Sequence, residues 1–178
     1  RFWNEYVPQH LLPRLTGFEL MMAPFAIAHM KVGLKLSETG YSFGSDERAR
    51  IFLTNALEPA RDLDMTFIFE AEALAHEAKA ANLAKLKTDF TVVTGNPPYA
   101  GHSKNNKIAA IVELVHDYKK DWPELLKPGQ GKWLQDDYVK FIRSAQNRID
   151  NSSAGVLGFI TNHSYFDNPT FKGMRAKL

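Results

Sequence analysis

Thr94-Gly95-Asn96-Pro97-Pro98-Tyr99 follows the apolar run Phe90 to Val93, and its residue types suit one task, holding a planar amine. The Asn96 side-chain carbonyl and the Pro97 backbone carbonyl can both accept hydrogen bonds from one exocyclic NH2 group. The prolines fix φ and restrict the residue before each of them, so these carbonyls point in set directions without an ordering cost at binding. Tyr99 adds a flat face for the ring that carries the amine. Asn and Pro also make ordinary turns, but four specified positions behind a strand-like run favour a site for methylating an amino group.

The elements that must position this motif alternate. Arg14 to Leu20 reads as a short strand ending on Phe18-Glu19, and Ala23 to Leu36 as a helix with Ile27, Met30 and Leu34 at helical spacing. Ala49 to Thr54 is a second strand, ending at Asn55, and a long helix runs from Asp62–Thr66 to about Lys87. Phe90 to Val93 shows little alternation, as expected for a strand covered on both faces, and Gly95 suits close approach of the backbone to a ligand. Helices follow over Ile108 to Val115 and Tyr138 to Ile149, then a strand of buried type from Gly155 to Thr161 and a helix from Asn168-Pro169. Residues 1–13 read as an irregular N-terminal segment, and 117–133 as an inserted connection edged by Trp122 and Trp133. This order predicts an α/β fold, a mainly parallel sheet with helices on both faces and ligands at the strand C-terminal edge.

Other candidates lie at that edge. A carboxylate after a strand, such as Glu19, can accept from both hydroxyls of a ribose, though a solvated loop Glu fits the sequence as well. The Asn55 amide offers a donor and an acceptor to an adenine ring, and equally suits a turn. Lys104 and Lys107, in the loop after the motif, can touch phosphates, or the loop can be solvated and mobile.

Composition sets the bounds. With 178 residues, 44% hydrophobic and 24% charged, the chain reads as one soluble globular domain or part of one. A net charge of +2 leaves any nucleic-acid contact to a local basic patch. The lack of cysteine, of a membrane-length apolar run and of a signal sequence suggests a cytoplasmic protein. The six histidines lie far apart in sequence without a metal-ligand spacing, so no metal is expected. The chain opens on Arg1 and stops at Leu178, just past the start of a helical pattern, which reads as a fragment.

Asn96-Pro97-Pro98-Tyr99 resembles the signature of S-adenosylmethionine-dependent N6-adenine methyltransferases. Gly17-Phe18-Glu19, Ala23 to His29, Ile51 to Glu58 and Gly155 to Tyr165 look like further blocks of the same domain, most similar to type ISP single-polypeptide restriction-modification enzymes. The resemblance implies a partial Rossmann-like methyltransferase fold over 1–178. It also implies a double-stranded DNA partner and a parent polypeptide with nuclease, helicase-like ATPase and target-recognition domains. Glu19 then matches the acid on the cofactor ribose, Asn55 a polar residue near the cofactor's adenine, and Asn96, Pro97 and Tyr99 the residues that hold the target adenine. No Gly-rich turn precedes Glu19, so the first cofactor motif is absent. In the family's sheet that missing strand lies between the strand ending at Glu19 and the one ending at Asn96, which predicts two halves with unpaired edges. A protein glutamine amide presents the same two donors as adenine, so a glutamine methyltransferase is the nearest rival; a non-catalytic interaction fragment is another.

Overall fold

The computed structural model describes residues 2–44, 47–60, 72–87, 89–99, 101, 103–152 and 154–178. The chain divides into two compact units, 1–88 and 89–178. Each is built on its own pair of parallel strands.

In the first unit, β1 (Gly17–Glu19) pairs in parallel with β2 (Ile51–Leu53), Phe18 lying opposite Phe52. The connection between them is α2 (Met22–Glu38), as a parallel pair requires a crossover. Phe52 is buried against Ala81 and Ala84 of α3 (Glu72–Lys87), with Phe18 packed alongside. The expected start of this helix, including Phe67 and Ala71, lies outside the described residues. Within the segment expected to be irregular, the described residues 2–13 are helical: α1 (Phe2–Tyr6) runs into two helical turns reaching Arg14. Pro8 and Pro13 fall at the second residue of each new segment, where the helical hydrogen-bond pattern changes, as a residue without an N–H favours. The Trp3 and Tyr6 rings stack, Trp3 Nε1 donates to Thr39 Oγ1 at 2.8 Å, and Val7 and Leu12 bury against Leu36. On α2, Ile27, Met30 and Leu34 are exposed. The helix meets β2 instead through His29, whose ring nitrogen lies 3.2 Å from the Ile51 carbonyl.

In the second unit, β3 (Val92–Gly95) pairs in parallel with β4 (Val156–Phe159), Gly95 lying opposite Phe159. The crossover carries α4 (Ala109–His116) and α5 (Asp137–Asp150). Val115, Leu134, Tyr138, Val139 and Met174 form a core with Leu157 and Phe159 packed on it. Two short helices, α6 (Ser164–Asp167) and α7 (Lys172–Lys177), end the chain. The connection at 117–133 belongs to this core, since Tyr118 and Leu125 are buried in it. The expectation of strands covered on both faces fails here. Val92 is 61% and Val156 64% exposed, because apolar residues in a strand bury only where another layer covers them.

Among the described residues β1 pairs only with β2 and β3 only with β4.

Candidate active site

The parallel pairing of β3 and β4 sets where the motif emerges. The ladder continues one step past the strands, Ile160 N–H donating to the Gly95 carbonyl at 3.0 Å, and the chain leaves the sheet at Asn96. Pro97 is buried, while Asn96, Pro98 and Tyr99 are exposed. The buried proline anchors the edge, and the Asn96 and Tyr99 side chains lie at the surface. Tyr99 OH donates to Asn96 Oδ1 at 3.0 Å. A side-chain carbonyl has two lone pairs, and this bond uses one of those on Asn96 Oδ1 while fixing the orientation of the amide. A Cβ at Gly95 would lie 3.2 Å from the Phe159 ring, so packing against β4 also favours glycine here.

The loop after the motif is tied down at several points. Gly101 has φ +69°, a left-handed conformation that favours glycine, and its N–H donates to Asp136 Oδ2 at 3.1 Å. Ser103 Oγ donates to Asp137 Oδ1 and accepts from the ammonium of Lys140. Asn105 Nδ2 donates to the same Asp137 oxygen at 3.0 Å, and Lys140 Nζ donates to Asn106 Oδ1 at 2.6 Å. Asp136, Asp137 and Lys140 are all buried, and burial pulls the Lys140 pKa down against the opposing pull of Asp137 and Asp136. The Lys104 and Lys107 side chains are exposed.

Sequence reasoning missed this cluster. Asp136 and Asp137 read as carboxylates complementing a helix N-terminus, and their partners lie more than thirty residues away in sequence. The available signal was the density of Ser103, Asn105 and Asn106 after the motif, which suits a bonded loop as well as a solvated one.

In the first unit, Glu19 and Asn55 both sit at the C-terminal edge of the β1–β2 pair, where Thr54 N–H donates to the Glu19 carbonyl at 2.7 Å. The Glu19 carboxylate turns back on its own chain, Oε1 accepting from the N–H groups of Leu20 and Met21 at 2.8 and 2.9 Å. That fixes the group through one of its two oxygens. Asn55 Oδ1 accepts from Leu57 N–H at 3.0 Å, the turn contact its residue type suggests. Lys85 Nζ braces this edge, donating to Thr54 Oγ1 and to the Asn55 carbonyl, each at 2.8 Å.

Residues 20–178 match the Eco57I restriction-modification methylase family. No curated protein matches the chain. Among solved structures, it is similar to the ATP-dependent Type ISP restriction-modification enzyme LlaBIII bound to DNA, at 24% identity and TM-score 0.71 over 96% of this chain and 12% of that one. It is likewise similar to a nuclease-deletion mutant of the Type ISP enzyme LlaGI with a DNA substrate mimic, at 23% identity and TM-score 0.72 over 97% of this chain and 14% of that one. The DrdV–DNA complex gives 23% identity and TM-score 0.69 over 98% of this chain and 16% of that one. At these identities the likeness is one of fold, and the chain spans no more than 16% of the length of those proteins. Among the described residues no helix is long and apolar enough to cross a membrane. With the methylase match running from Leu20 through the Asn-Pro-Pro-Tyr edge to Leu178, the chain belongs to the Eco57I restriction-modification methylase family.

Proposed function

We propose that this chain is the catalytic part of a DNA methyltransferase that methylates N6 of a flipped-out adenine, with S-adenosylmethionine as methyl donor. The observation that carries the reading is the Asn96–Tyr99 pair, exposed at the end of a parallel strand and anchored by a buried Pro97. The lone pair of an adenine amine is delocalised into the ring, which makes it a poor nucleophile. Two accepted hydrogen bonds, at Asn96 Oδ1 and the Pro97 carbonyl, localise that pair on nitrogen, so catalysis rests on geometry and electrostatics. No dedicated base is needed, because the nitrogen becomes acidic only as it gains the methyl group. Flipping costs a few kcal/mol, and stacking on Tyr99, about 1 to 3 kcal/mol per base, offsets much of it.

S-adenosylmethionine supplies an electrophilic methyl group on a sulfonium. Glu19 suits its ribose, since two backbone N–H groups fix its carboxylate through one of the two oxygens. Asn55 would stand near its adenine, and Lys104 and Lys107 would meet phosphates flanking the extruded base. Family membership favours DNA over a protein glutamine as the acceptor. We further propose that the chain works within a longer polypeptide carrying nuclease, helicase-like ATPase and target-recognition parts.

The reading is tested by incubating the parent enzyme with DNA and labelled cofactor, digesting the DNA to nucleosides and identifying the product. N6-methyladenine is expected. Label on cytosine, or on a glutamine of added protein instead, would refute it.

A further inference from the structure

We infer that Asp136, Asp137 and Lys140 are positioning residues for methyl transfer, holding the loop after Tyr99 in the one geometry that completes the target-base pocket. The inference rests on the reading of Asn96 to Tyr99 as that pocket.

The bonds run in one direction, from the start of α5 to the loop. Asp136 takes the Gly101 N–H, two residues beyond Tyr99, at the point where the backbone turns through its left-handed conformation. Asp137 and Lys140 then grip Ser103 from both sides, its hydroxyl donating to the carboxylate and accepting from the ammonium. The same hydroxyl accepts from Asn105 N–H at 2.9 Å, so its donor and both its lone pairs are used. Asn105 and Asn106 add one further bond each, to Asp137 and Lys140.

This is an expensive way to hold a loop. Buried charges carry a desolvation cost that apolar packing of the same volume would avoid. Here Lys140 is fully buried, and Asp136 has its second oxygen buried without a partner among the described contacts. What a bonded network provides beyond apolar contacts is direction, because each bond is satisfied only at one loop conformation. The polar atoms it fixes belong to Gly101, Ser103, Asn105 and Asn106, interleaved with the exposed Lys104 and Lys107. Anchoring Ser103 to Asn106 therefore sets the positions from which both cations leave the chain, and the bond to Asp136 holds Gly101 as well.

Ser103 gives the cleanest test, since its hydroxyl can be removed without touching α5. In the parent enzyme, Ser103→Ala should lower kcat for adenine methylation by about 10- to 100-fold, the loss expected when a reacting group is slightly misplaced. The melting temperature should fall by a few degrees, because a buried ammonium and a buried carboxylate each lose a partner, while cofactor affinity of the folded enzyme should stay near wild type, and Ser103→Thr, which keeps the hydroxyl, should recover most of the rate. Lys140→Met should show the same fall in kcat when the rate is referred to the fraction of molecules that bind cofactor. Wild-type kcat in both variants would overturn the inference, as would a loss that merely tracks the unfolded fraction. If the wild-type enzyme methylates adenine while Ser103→Ala is unimpaired, only the positioning role fails. If the wild-type enzyme makes no N6-methyladenine, the pocket reading fails and the positioning role with it.

Discussion

Tyr99 offers two separable contributions, a ring face and a hydroxyl, and the geometry assigns each a magnitude. The side chain is 46% exposed and touches the rest of the edge through its bond to Asn96 Oδ1 at 3.0 Å. Tyr99→Phe removes that bond and keeps the ring, and one such hydrogen bond contributes about 1 kcal/mol, so kcat/KM for DNA should fall no more than about fivefold. Tyr99→Ala also removes the stacking face, worth about 1 to 3 kcal/mol, which adds a further factor of roughly 5 to 150. Neither change should cost the fold more than about 0.5 kcal/mol, as is usual for an exposed side chain away from the core. The assay is methyl transfer to duplex DNA at several DNA concentrations, paired with the fluorescence of 2-aminopurine at the target position to report stacking of the extruded base. Equal losses in the two variants would refute the stacking role and leave the hydroxyl as the working group. A fully active Tyr99→Ala would remove the residue from the pocket altogether.

Three further outcomes are expected. Lys104→Ala and Lys107→Ala should each weaken DNA binding about equally across sequences and reduce the slope of log affinity against log salt by about 1, as loss of a phosphate contact does; an unchanged slope would place both ammonium groups off the DNA. The 178-residue chain by itself should bind S-adenosylmethionine more weakly than micromolar in a calorimetric titration, because β1 and β3 each pair on one side only among the described residues; micromolar binding would show that the cofactor site is complete without a further strand. Bonds from Lys120 and Arg143 lower the Asp117 pKa, so the stability this carboxylate contributes is present above its unfolded value near 3.8 and is lost as pH falls through the lower folded value. Asp117→Asn should therefore cost about 0.5 to 1.5 kcal/mol at neutral pH, the value of a solvent-screened ion pair, and less in acid below the folded value, and an equal cost at both pH values would contradict the assignment.

The geometry of the motif was legible because it is local: two prolines preset the backbone, and the bond between Asn96 and Tyr99 joins side chains within four residues. The parallel pairing was legible for a related reason, since β–α–β alternation leaves few other topologies. What sequence could not supply was anything set by a neighbour distant in the chain. Val92 and Val156 look like core residues, yet among the described residues no layer buries them. Ile27, Met30 and Leu34 have the spacing of an inward face, yet α2 turns His29 to the sheet. Asp136, Asp137 and Lys140 follow the same pattern, because a carboxylate at a helix start has a sufficient local explanation and gives no hint of a loop more than thirty positions earlier. Asn55 lies between these cases: its turn contact to Leu57 was readable locally, and a role beside the cofactor depends on a ligand.

The central claim is that Asn96 holds the amine that receives the methyl group. It is tested most directly by comparing Asn96→Ala with wild type in single-turnover methylation of DNA, with cofactor and DNA affinities measured on the same preparations. Loss of N6-methyladenine formation by at least about 100-fold, with both affinities within a few-fold of wild type, is the predicted result, since removing one donor or acceptor aimed at a reacting group costs this much in comparable sites. Methylation at an undiminished rate by Asn96→Ala would contradict the account.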